Sequence, residues 1–318
     1  MSTTTTIART DERWWVVADD HLFPITTDAR TTSELLSDRD AVEAAASQPR
    51  ANGIPVDGAP LRSPVTMPAR VVAQMVNYRS HARDSGFDPD AILPTFFRKS
   101  ESSVSGPGDD VVCPPHVRLL DYEVELGLVL KRRLSLGTVV RPEHLARYVG
   151  GLVVTNDISA RDVQLPQGQF YEGKSYPTFT PVGPYLLLPD EATLTGLETL
   201  RLTLEVNGER RQDQTVGDMI VAPAEALTRL ARFQELDPGD LLLTGTPGGT
   251  ALVAPPKLLV KISSLLPDAL RWRLFHKTQA KKPGYLREGD VITARIADEA
   301  AGVDLGTQRT SVRVGAPL

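Results

Sequence analysis

The sequence is poor in cysteine and has no long apolar run, and each absence limits what the protein can be. Cys113 is the only cysteine among 318 residues, which excludes an internal disulfide framework and metal sites built from several thiolates. No stretch approaches the roughly 20 apolar residues that span a bilayer, and residues 1–12 are mostly polar. We therefore expect a cytoplasmic protein with no membrane partner, in which Cys113 has a structural role.

The sequence also lacks a long run of lysine or arginine. The net charge is -5 and the basic residues are dispersed, so we expect no nucleic-acid partner. With 41% hydrophobic and 24% charged residues, the chain can bury a full core. Its length suggests one large domain or two modest ones.

Turn-forming residues mark a predicted domain boundary. Residues 52–60 are dense in glycine, proline and asparagine, which favours a linker. We therefore predict a small N-terminal domain over residues 1–65 and a larger domain over residues 66–318. In the smaller one, apolar spacing predicts a helix over residues 33–46.

Strand patterns dominate the larger predicted domain. Strands are predicted at 71–76, 123–130, 152–155, 182–188, 200–206, 240–243 and 291–296. Asn207 and Gly208 suit a tight hairpin between two strands, and helical spacing is clear only over residues 223–234. The fold class that follows is α+β and mainly β, rather than a doubly wound parallel sheet.

Two glutamates share one face of an otherwise apolar strand. Side-chain alternation along residues 120–130 places Glu123 and Glu125 together, opposite a row of apolar side chains. Neighbouring carboxylates repel unless a cation lies between them. Asp157, which follows another buried strand, adds a third carboxylate, and an all-oxygen set favours Mg²⁺, Mn²⁺ or Ca²⁺ over zinc. The alternative is a solvated strand face with Asp157 capping a helix.

Three other segments carry candidate polar groups. His81 and Asp84 are three residues apart, so on a helical turn the carboxylate could orient the imidazole as a general base, although a surface ion pair is the alternative. Lys174 lies in a loop of Gly and Pro, where it could bind a substrate carboxylate or stabilise an enolate, and the alternative is an exposed loop lysine. Residues 244–249 (TGTPGG) free backbone N–H groups to face an anion, but alone they indicate only a turn.

Six separated segments together resemble the fumarylacetoacetate hydrolase family, in its branch of acylpyruvases and 2-hydroxyhepta-2,4-diene-1,7-dioate isomerases. They are Asn77-Tyr78 with His81, residues 97–99 (FRK), 121–126 (DYEVEL), 156–162 (NDISARD), Lys174 with 181–184 (PVGP), and 244–249 (TGTPGG). The resemblance runs from about residue 66 to the C-terminus. It implies a catalytic domain built as a mixed β-sandwich roll, preceded by a small N-terminal domain and usually assembled as a homodimer.

The resemblance also implies a metal centre and a base. Glu123, Glu125 and Asp157 would hold Mg²⁺ or Mn²⁺, with Ca²⁺ as a substitute, and the ion would polarise a carbonyl oxygen of a 2-oxo acid or β-diketone substrate. His81 and Asp84 would form a dyad on a lid over the substrate, in which His81 activates water. The implied reaction is hydrolysis of a carbon–carbon bond.

The remaining implied roles concern substrate. Lys174 would act in catalysis by stabilising the enolate leaving group, and Thr246 would bind a substrate carboxylate or carbonyl oxygen. The positions expected to bind substrate are Tyr78, Arg98, Lys99, Gly245 and Thr246. Without water attack, the same chemistry supports decarboxylation or keto–enol isomerisation.

Three departures from the family pattern affect these expectations. Asp84 stands where Glu is common, so its reach to His81 or to water is one methylene shorter. Residues 251–284 lengthen a connection that is usually short, and they are expected to shape the substrate entrance or an oligomer interface. Pro177 stands where an acidic residue is frequent, which leaves the conformation of the Lys174 loop open.

Three functional hypotheses result. The first is a metal-dependent hydrolase of acylpyruvates or diketones. The second is a 2-oxo acid decarboxylase of the oxaloacetate type, or a 2-hydroxydienoate isomerase or tautomerase, on the same site. The third is a noncatalytic, metal-stabilised binding protein, which the shorter Asp84 side chain keeps open.

Overall fold

A computed structural model describes residues 4–48, 53–254 and 266–316 of the chain. Asn52 of the predicted linker and residues 255–265 of the predicted insertion lie outside the described residues. None of the helices in these described ranges is both long enough and apolar enough to cross a bilayer.

Strands make up most of the regular structure in the described ranges. They are β1 Thr5–Arg9, β2 Trp14–Ala18, β3 His21–Pro24, β4 Ile54–Pro55, β5 Val71–Met75, β6 Thr95–Lys99, β7 Val104–Ser105, β8 Val111–Cys113, β9 Leu120–Asp121, β10 Val124–Leu130, β11 Val149–Asn156, β12 Ser159–Ala160, β13 Thr180–Pro181, β14 Leu186–Leu188, β15 Arg201–Val206, β16 Glu209–Thr215, β17 Leu241–Leu243, β18 Val291–Asp298 and β19 Val303–Val314. The α-helices are α1 Thr32–Ser37, α2 Arg39–Ser47, α3 Arg79–Asp84, α4 Arg161–Gln167, α5 Glu191–Thr195, α6 Pro223–Leu230 and α7 Asp268–Gln279. The predicted α+β, mainly β class is confirmed.

A ten-stranded sheet forms the centre of the fold. Its order is β4-β3-β2-β1-β14-β11-β10-β17-β5-β6, so the long apolar strands β10 and β11 lie near its middle. The N-terminal strand β1 pairs with β14 through Thr6 and Leu187. Strands from before and after residue 65 therefore belong to one sheet, and the domain boundary at that position stays a prediction.

A five-stranded sheet, in the order β16-β15-β18-β19-β8, supplies the second layer. Leu126 and Leu128 of β10 share a buried cluster with Leu202 and Leu204 of β15, whereas Val129 belongs to a second cluster that includes residues of α1 and α2. Both faces of β10 are therefore covered, which accounts for its continuous apolar sequence. Glu125 is buried in this strand as well.

Several predicted elements are interrupted in the structure. The strand predicted over residues 120–130 breaks at Tyr122 and Glu123, which separate β9 from β10. Of the strand predicted over 182–188, only β14 at Leu186–Leu188 forms, because Gly183 has φ +107° and Pro184 has no N–H for a ladder.

The predicted helix at 33–46 is also divided. The Asp38 side chain accepts a hydrogen bond from the N–H of Ala41 and caps α2, so a second helix starts there. The helix predicted over 223–234 ends earlier, at Leu230. The hairpin prediction is confirmed, because Asn207 and Gly208 both have positive φ, 54° and 81°, between β15 and β16.

Candidate active site

The register of β10 and β11 brings the three predicted metal ligands together. Val124 pairs with Asn156, so Glu123 and Asp157 lie side by side just beyond the two paired strands. Their backbones are joined, since the N–H of Asp157 donates to the carbonyl oxygen of Glu123 at 2.8 Å. Carboxylate oxygens of Glu123, Glu125 and Asp157 all lie within 4.8 Å of one another, and all three residues are buried.

The loop after β17 completes this end of the sheet. The N–H of Gly245 donates to Oε2 of Glu125 at 2.6 Å. Oγ1 of Thr246 donates to the carbonyl oxygen of Val124 at 2.9 Å and accepts from Nε2 of Gln212 at 2.8 Å. The loop therefore holds Glu125 in place. The N–H of Gly245, which could face a bound anion, donates instead to a carboxylate of the protein itself.

Two lysines contact the carboxylate cluster. Nζ of Lys174 donates to Oε2 of Glu123 at 2.6 Å and to Oδ2 of Asp157 at 2.7 Å, so this predicted catalytic residue lies in the cluster. Nζ of Lys99 binds the other oxygen of Asp157 and donates to the carbonyl oxygen of Phe179 at 2.9 Å. Lys99, predicted to bind substrate, is thus bound to a predicted metal ligand.

Neither Arg161 nor Asp121 is predicted from the sequence as a site residue, yet both belong to the cluster. Nε of Arg161 donates to Oδ2 of Asp121 at 2.9 Å, and its Nη2 contacts Oε1 of Glu123. Both residues are buried. The sequence feature that could have identified them is their place in the segments 121–126 and 156–162, where a charged residue borders a buried strand.

The electrostatics of the two glutamates differ. Burial opposes the ionisation of Glu123, but Arg161 and Lys174 outweigh it and hold its pKa below the usual range. Burial raises the pKa of Glu125 well above its usual value, and the adjacent carboxylates of Asp157 and Glu123 raise it further. Glu125 is therefore the member of the cluster whose charge is least compensated.

The donor set fits a hard divalent cation. Within the described ranges, Glu125 has no cationic side chain in contact, and its carboxylate accepts only the Gly245 N–H. When all four carboxylates are ionised, Asp121 and the three predicted ligands oppose the cations Lys99, Lys174 and Arg161, which gives the buried site a formal charge of one negative. Three buried carboxylates and no nitrogen or sulfur donor are typical of Mg²⁺, Mn²⁺ or Ca²⁺ sites.

His81 and Asp84 do not form the expected dyad here. His81, on α3, is 8% exposed, and its Nδ1 has no hydrogen-bond partner among the described residues. Burial lowers the pKa of the imidazole below its usual value. Asp84 instead accepts a hydrogen bond from the N–H of Gly249 at 3.0 Å, so it fixes the loop after β17. The catalytic role of the pair stays a prediction.

Two predicted substrate-binding residues form no hydrogen bond or ion pair with the cluster in the described ranges. Tyr78 precedes α3 and is fully buried, with no partner for its hydroxyl in the described ranges, and burial raises its pKa well above 10.0. Arg98 is exposed, because alternation along β6 turns it away from the buried Lys99. Their substrate roles stay predictions.

A cavity of about 660 Å³ opens onto the cluster. Its polar end contains the three predicted metal ligands together with His81, Arg161, Lys174 and Thr246. The rest of its lining is mostly apolar and includes side chains from α7. Charged groups with shifted pKa values that line a large cavity are typical of an enzyme active site.

Comparison with known proteins identifies the family to which the chain belongs. Residues 70–313 match the family described as fumarylacetoacetate (FAA) hydrolase C-terminal. The chain belongs to the fumarylacetoacetate hydrolase family, as its sequence motifs predict.

The relatives differ in their reactions. The chain is 34% identical to a 2,4-didehydro-3-deoxy-L-rhamnonate hydrolase of Sphingomonas sp. over 270 residues, which cover 84% of this chain and 80% of the relative. It is 34% identical over 201 residues to the mitochondrial oxaloacetate tautomerase FAHD2B of Bos taurus. That match covers 63% of this chain and 62% of the tautomerase, so the chain spans less than two thirds of that relative.

Solved structures show the same fold. A protein of Mycobacterium abscessus, described as a probable 2-hydroxyhepta-2,4-diene-1,7-dioate isomerase, has a TM-score of 0.74 and 30% identity over 99% of this chain and 100% of its own. A fumarylacetoacetate hydrolase of Exiguobacterium antarcticum has a TM-score of 0.71 and 26% identity, with coverage of 99% and 100%. The protein is therefore an enzyme of this family, and the hypothesis of a noncatalytic binding protein is not supported.

Proposed function

We propose that the protein is a metal-dependent hydrolase that cleaves a carbon–carbon bond in an acylpyruvate or β-diketone substrate. The observation that carries this proposal is one cavity in which the carboxylate cluster, Lys174 and an unpaired buried His81 converge. Hydrolysis needs a group that binds the dicarbonyl, a base for water and a cation for the developing enolate. All three kinds of group line this cavity.

Glu123, Glu125 and Asp157 would hold the metal, for which we propose Mg²⁺ or Mn²⁺, with Ca²⁺ as a substitute. When bound, such an ion supplies a Lewis acid for a substrate carbonyl oxygen. A divalent ion would change the net charge of the buried cluster from one negative to one positive, counting Asp121 with the three ligands against Lys99, Lys174 and Arg161. That charge suits a substrate carboxylate.

His81 would act as the base. A neutral imidazole can take a proton from water while the water oxygen bonds to the carbonyl carbon farther from the substrate carboxylate. The carbon–carbon bond then breaks, its electron pair forms an enolate, and the products are a carboxylic acid and, after protonation of the enolate, pyruvate. The ammonium group of Lys174 would stabilise the enolate charge.

A second candidate is a tautomerase or decarboxylase of the oxaloacetate type. The observation that favours it is that Asp84 binds the Gly249 amide, which leaves His81 without the carboxylate partner expected of a hydrolytic dyad. An imidazole without that partner can still move a proton between the carbon next to the 2-oxo group and the enol oxygen. The oxaloacetate tautomerases among the relatives are consistent with this candidate.

One experiment distinguishes the two candidates. The purified protein is incubated with an acylpyruvate or with oxaloacetate, in Mg²⁺ or in EDTA, while pyruvate is measured with lactate dehydrogenase and the enol by its ultraviolet absorbance. A hydrolase produces pyruvate from the acylpyruvate and loses that activity in EDTA. A tautomerase changes the enol absorbance of oxaloacetate without producing pyruvate. Pyruvate production that is unchanged in EDTA would contradict the metal-dependent proposal.

We also propose that the protein acts on small molecules in the cytoplasm as a homodimer, with no nucleic-acid or membrane partner. The support is the dispersed basic charge and the family resemblance. Light scattering coupled to gel filtration would measure the mass, and a monomer of 34.6 kDa would contradict the assembly.

A further inference from the structure

The cavity has a second end that the proposed chemistry does not use. Beyond the polar cluster, most of the lining side chains are aromatic or aliphatic, among them Phe97, Phe170, Trp272 and Phe275. A small dicarboxylate such as oxaloacetate would be bound wholly within the polar end. The apolar end therefore requires a different explanation.

An aromatic pair marks the change from polar to apolar lining. The ring of Phe97 lies 5.5 Å from Nζ of Lys174, measured to its centroid, and it meets Phe170 edge to face with a centroid distance of 5.2 Å. Lys174 in turn contacts Glu123 and Asp157. A substrate whose 2-oxo acid group reaches Lys174 would therefore place its next carbons against Phe97.

Helix α7 forms another wall of the cavity. Trp272 and Phe275 meet edge to face with a centroid distance of 5.6 Å, and Phe275 also packs against the main core. The end of the helix is fixed, because the buried Gln279 accepts a hydrogen bond from the Tyr285 hydroxyl at 3.0 Å. The wall is thus packed against the body of the protein.

The one cation on this wall is already partnered. Arg271 forms an ion pair with Asp268 at 2.9 Å, and its guanidinium lies 5.4 Å from the centroid of Trp272. Among the described lining residues, the other side chains of α7 carry no charge. The wall therefore favours an apolar group over a second substrate carboxylate.

We infer that the substrate carries a bulky apolar group, a long alkyl chain or an aryl ring, on the side of the molecule away from its 2-oxo acid, and that Trp272 and Phe275 select for it. This inference rests on the proposed function, because it assumes that the polar end binds a 2-oxo acid. It assigns a role in specificity to the part of the predicted insertion that folds as α7. It also separates this protein from relatives that act on small dicarboxylates.

Binding of unreactive 2-oxo acids tests the inference without relying on turnover. The protein, with Mg²⁺, is titrated calorimetrically with pyruvate, 2-oxobutyrate, 2-oxohexanoate, 2-oxooctanoate, phenylpyruvate and, as a dicarboxylate for comparison, 2-oxoglutarate. Burial of each added methylene should tighten Kd about three- to fourfold until the cavity is filled. The intrinsic fluorescence of Trp272 should change when the long acids bind. The same titration of Trp272→Phe, which keeps Trp14 and Trp15, shows how much of the change comes from Trp272.

Variants assign the effect to the wall. Trp272→Ala and Phe275→Ala should weaken 2-oxooctanoate by about tenfold or more and leave pyruvate unchanged. Phe170→Leu tests the same cavity from another element, in case a change in α7 impairs folding. Arg273→Ala is the matched control, because Arg273 lies on α7 but is exposed and does not line the cavity.

The outcomes separate this inference from the proposed function. A Kd that does not change with chain length, or 2-oxoglutarate binding more tightly than 2-oxohexanoate, would overturn the inference while leaving 2-oxo acid recognition intact. If none of the acids binds, the proposed function fails and the inference fails with it. A length dependence that Trp272→Ala abolishes supports the inference, whichever reaction the enzyme catalyses.

Discussion

The backbone N–H of Asp157 donates to the carbonyl oxygen of Glu123 at 2.8 Å, next to where the paired strands β10 and β11 separate. This bond ties together the two carboxylates that Lys174 also bridges. The end of the sheet therefore sets the spacing of Glu123 and Asp157, and the loop after β17 holds Glu125 beside them. A site built in this way keeps its geometry before substrate arrives.

His81 should set the acid limit of the reaction. Burial lowers its pKa below 6.5, and although Glu123 and Asp121 raise the pKa, Arg161 and Lys174 oppose them. The imidazole should thus remain neutral at pH 6.5, and kcat should fall only at lower pH. His81→Asn should lower kcat about 100- to 10,000-fold, whereas the exposed His21→Asn should not. A kcat–pH profile for each variant checks this, and full activity of His81→Asn would remove the base assignment.

The same group should affect stability in acid. The unfolded chain binds a proton at His81 near pH 6.5, but the folded chain does so only at lower pH, so the free energy of unfolding should decrease as pH falls through this range. His81→Asn should remove that part of the decrease. Urea denaturation at several pH values between 5 and 8 measures it. Parallel curves for the variant and the wild type would show that His81 is not buried as described.

Asp84 should act on the loop rather than on the base. Its carboxylate accepts the Gly249 N–H at 3.0 Å, so Asp84→Ala should destabilise the protein by about 1–3 kcal/mol and raise KM. The acid limb of the kcat–pH profile should stay where it is in the wild type. Glu101→Ala, an exposed change on another element, is the control. A shift of the acid limb in Asp84→Ala would show that Asp84 and His81 act together as a dyad.

Gly249 should tolerate no side chain. Its φ is +98°, and a Cβ there would lie 2.0 Å from the carbonyl oxygen of Arg211. Gly249→Ala should cost about 3 kcal/mol or more and displace the Thr246 loop. Gly289→Ala is the matched control, since Gly289 has φ +87° with open space around it, and it should cost only about 1–2 kcal/mol. Equal losses by denaturant titration would show that the close contact is absent.

Cys113 should be unreactive in the folded protein. Burial raises the pKa of its thiol to about 11, so little thiolate exists at pH 8. Iodoacetamide should therefore modify it only after unfolding, as mass spectrometry can show. Rapid modification of the native protein at pH 8 would disagree with the described burial.

Local sequence pattern was sufficient to predict part of the site. Alternation along β10 identifies Glu123 and Glu125 as neighbours, because strand geometry has a period of two. The position of Asp157 after a buried strand makes it a candidate, but only the pairing of Val124 with Asn156 places it beside Glu123. That pairing depends on the whole sheet. From sequence, therefore, the three metal ligands could be predicted together only through the family resemblance.

Long-range contacts explain what the sequence could not provide. Lys99 binds Asp157 from a strand 58 positions earlier in the chain, and no local pattern predicts such a partner. Asp84 is three residues from His81, which favours contact on a helix, but the Gly249 amide takes its carboxylate instead. Helix α7 lacks a clear apolar face in its sequence, so its place on the cavity follows only from the fold.

Metal binding by Glu125→Gln tests the central claim most directly. The change keeps the shape of the side chain and removes the least compensated charge of the cluster, so Mn²⁺ titration followed by electron paramagnetic resonance should show Kd weakened at least about tenfold. Thermal denaturation without metal should show a variant at least as stable as the wild type, because a buried unpaired carboxylate is lost. Unchanged Mn²⁺ affinity with unchanged turnover would contradict the account.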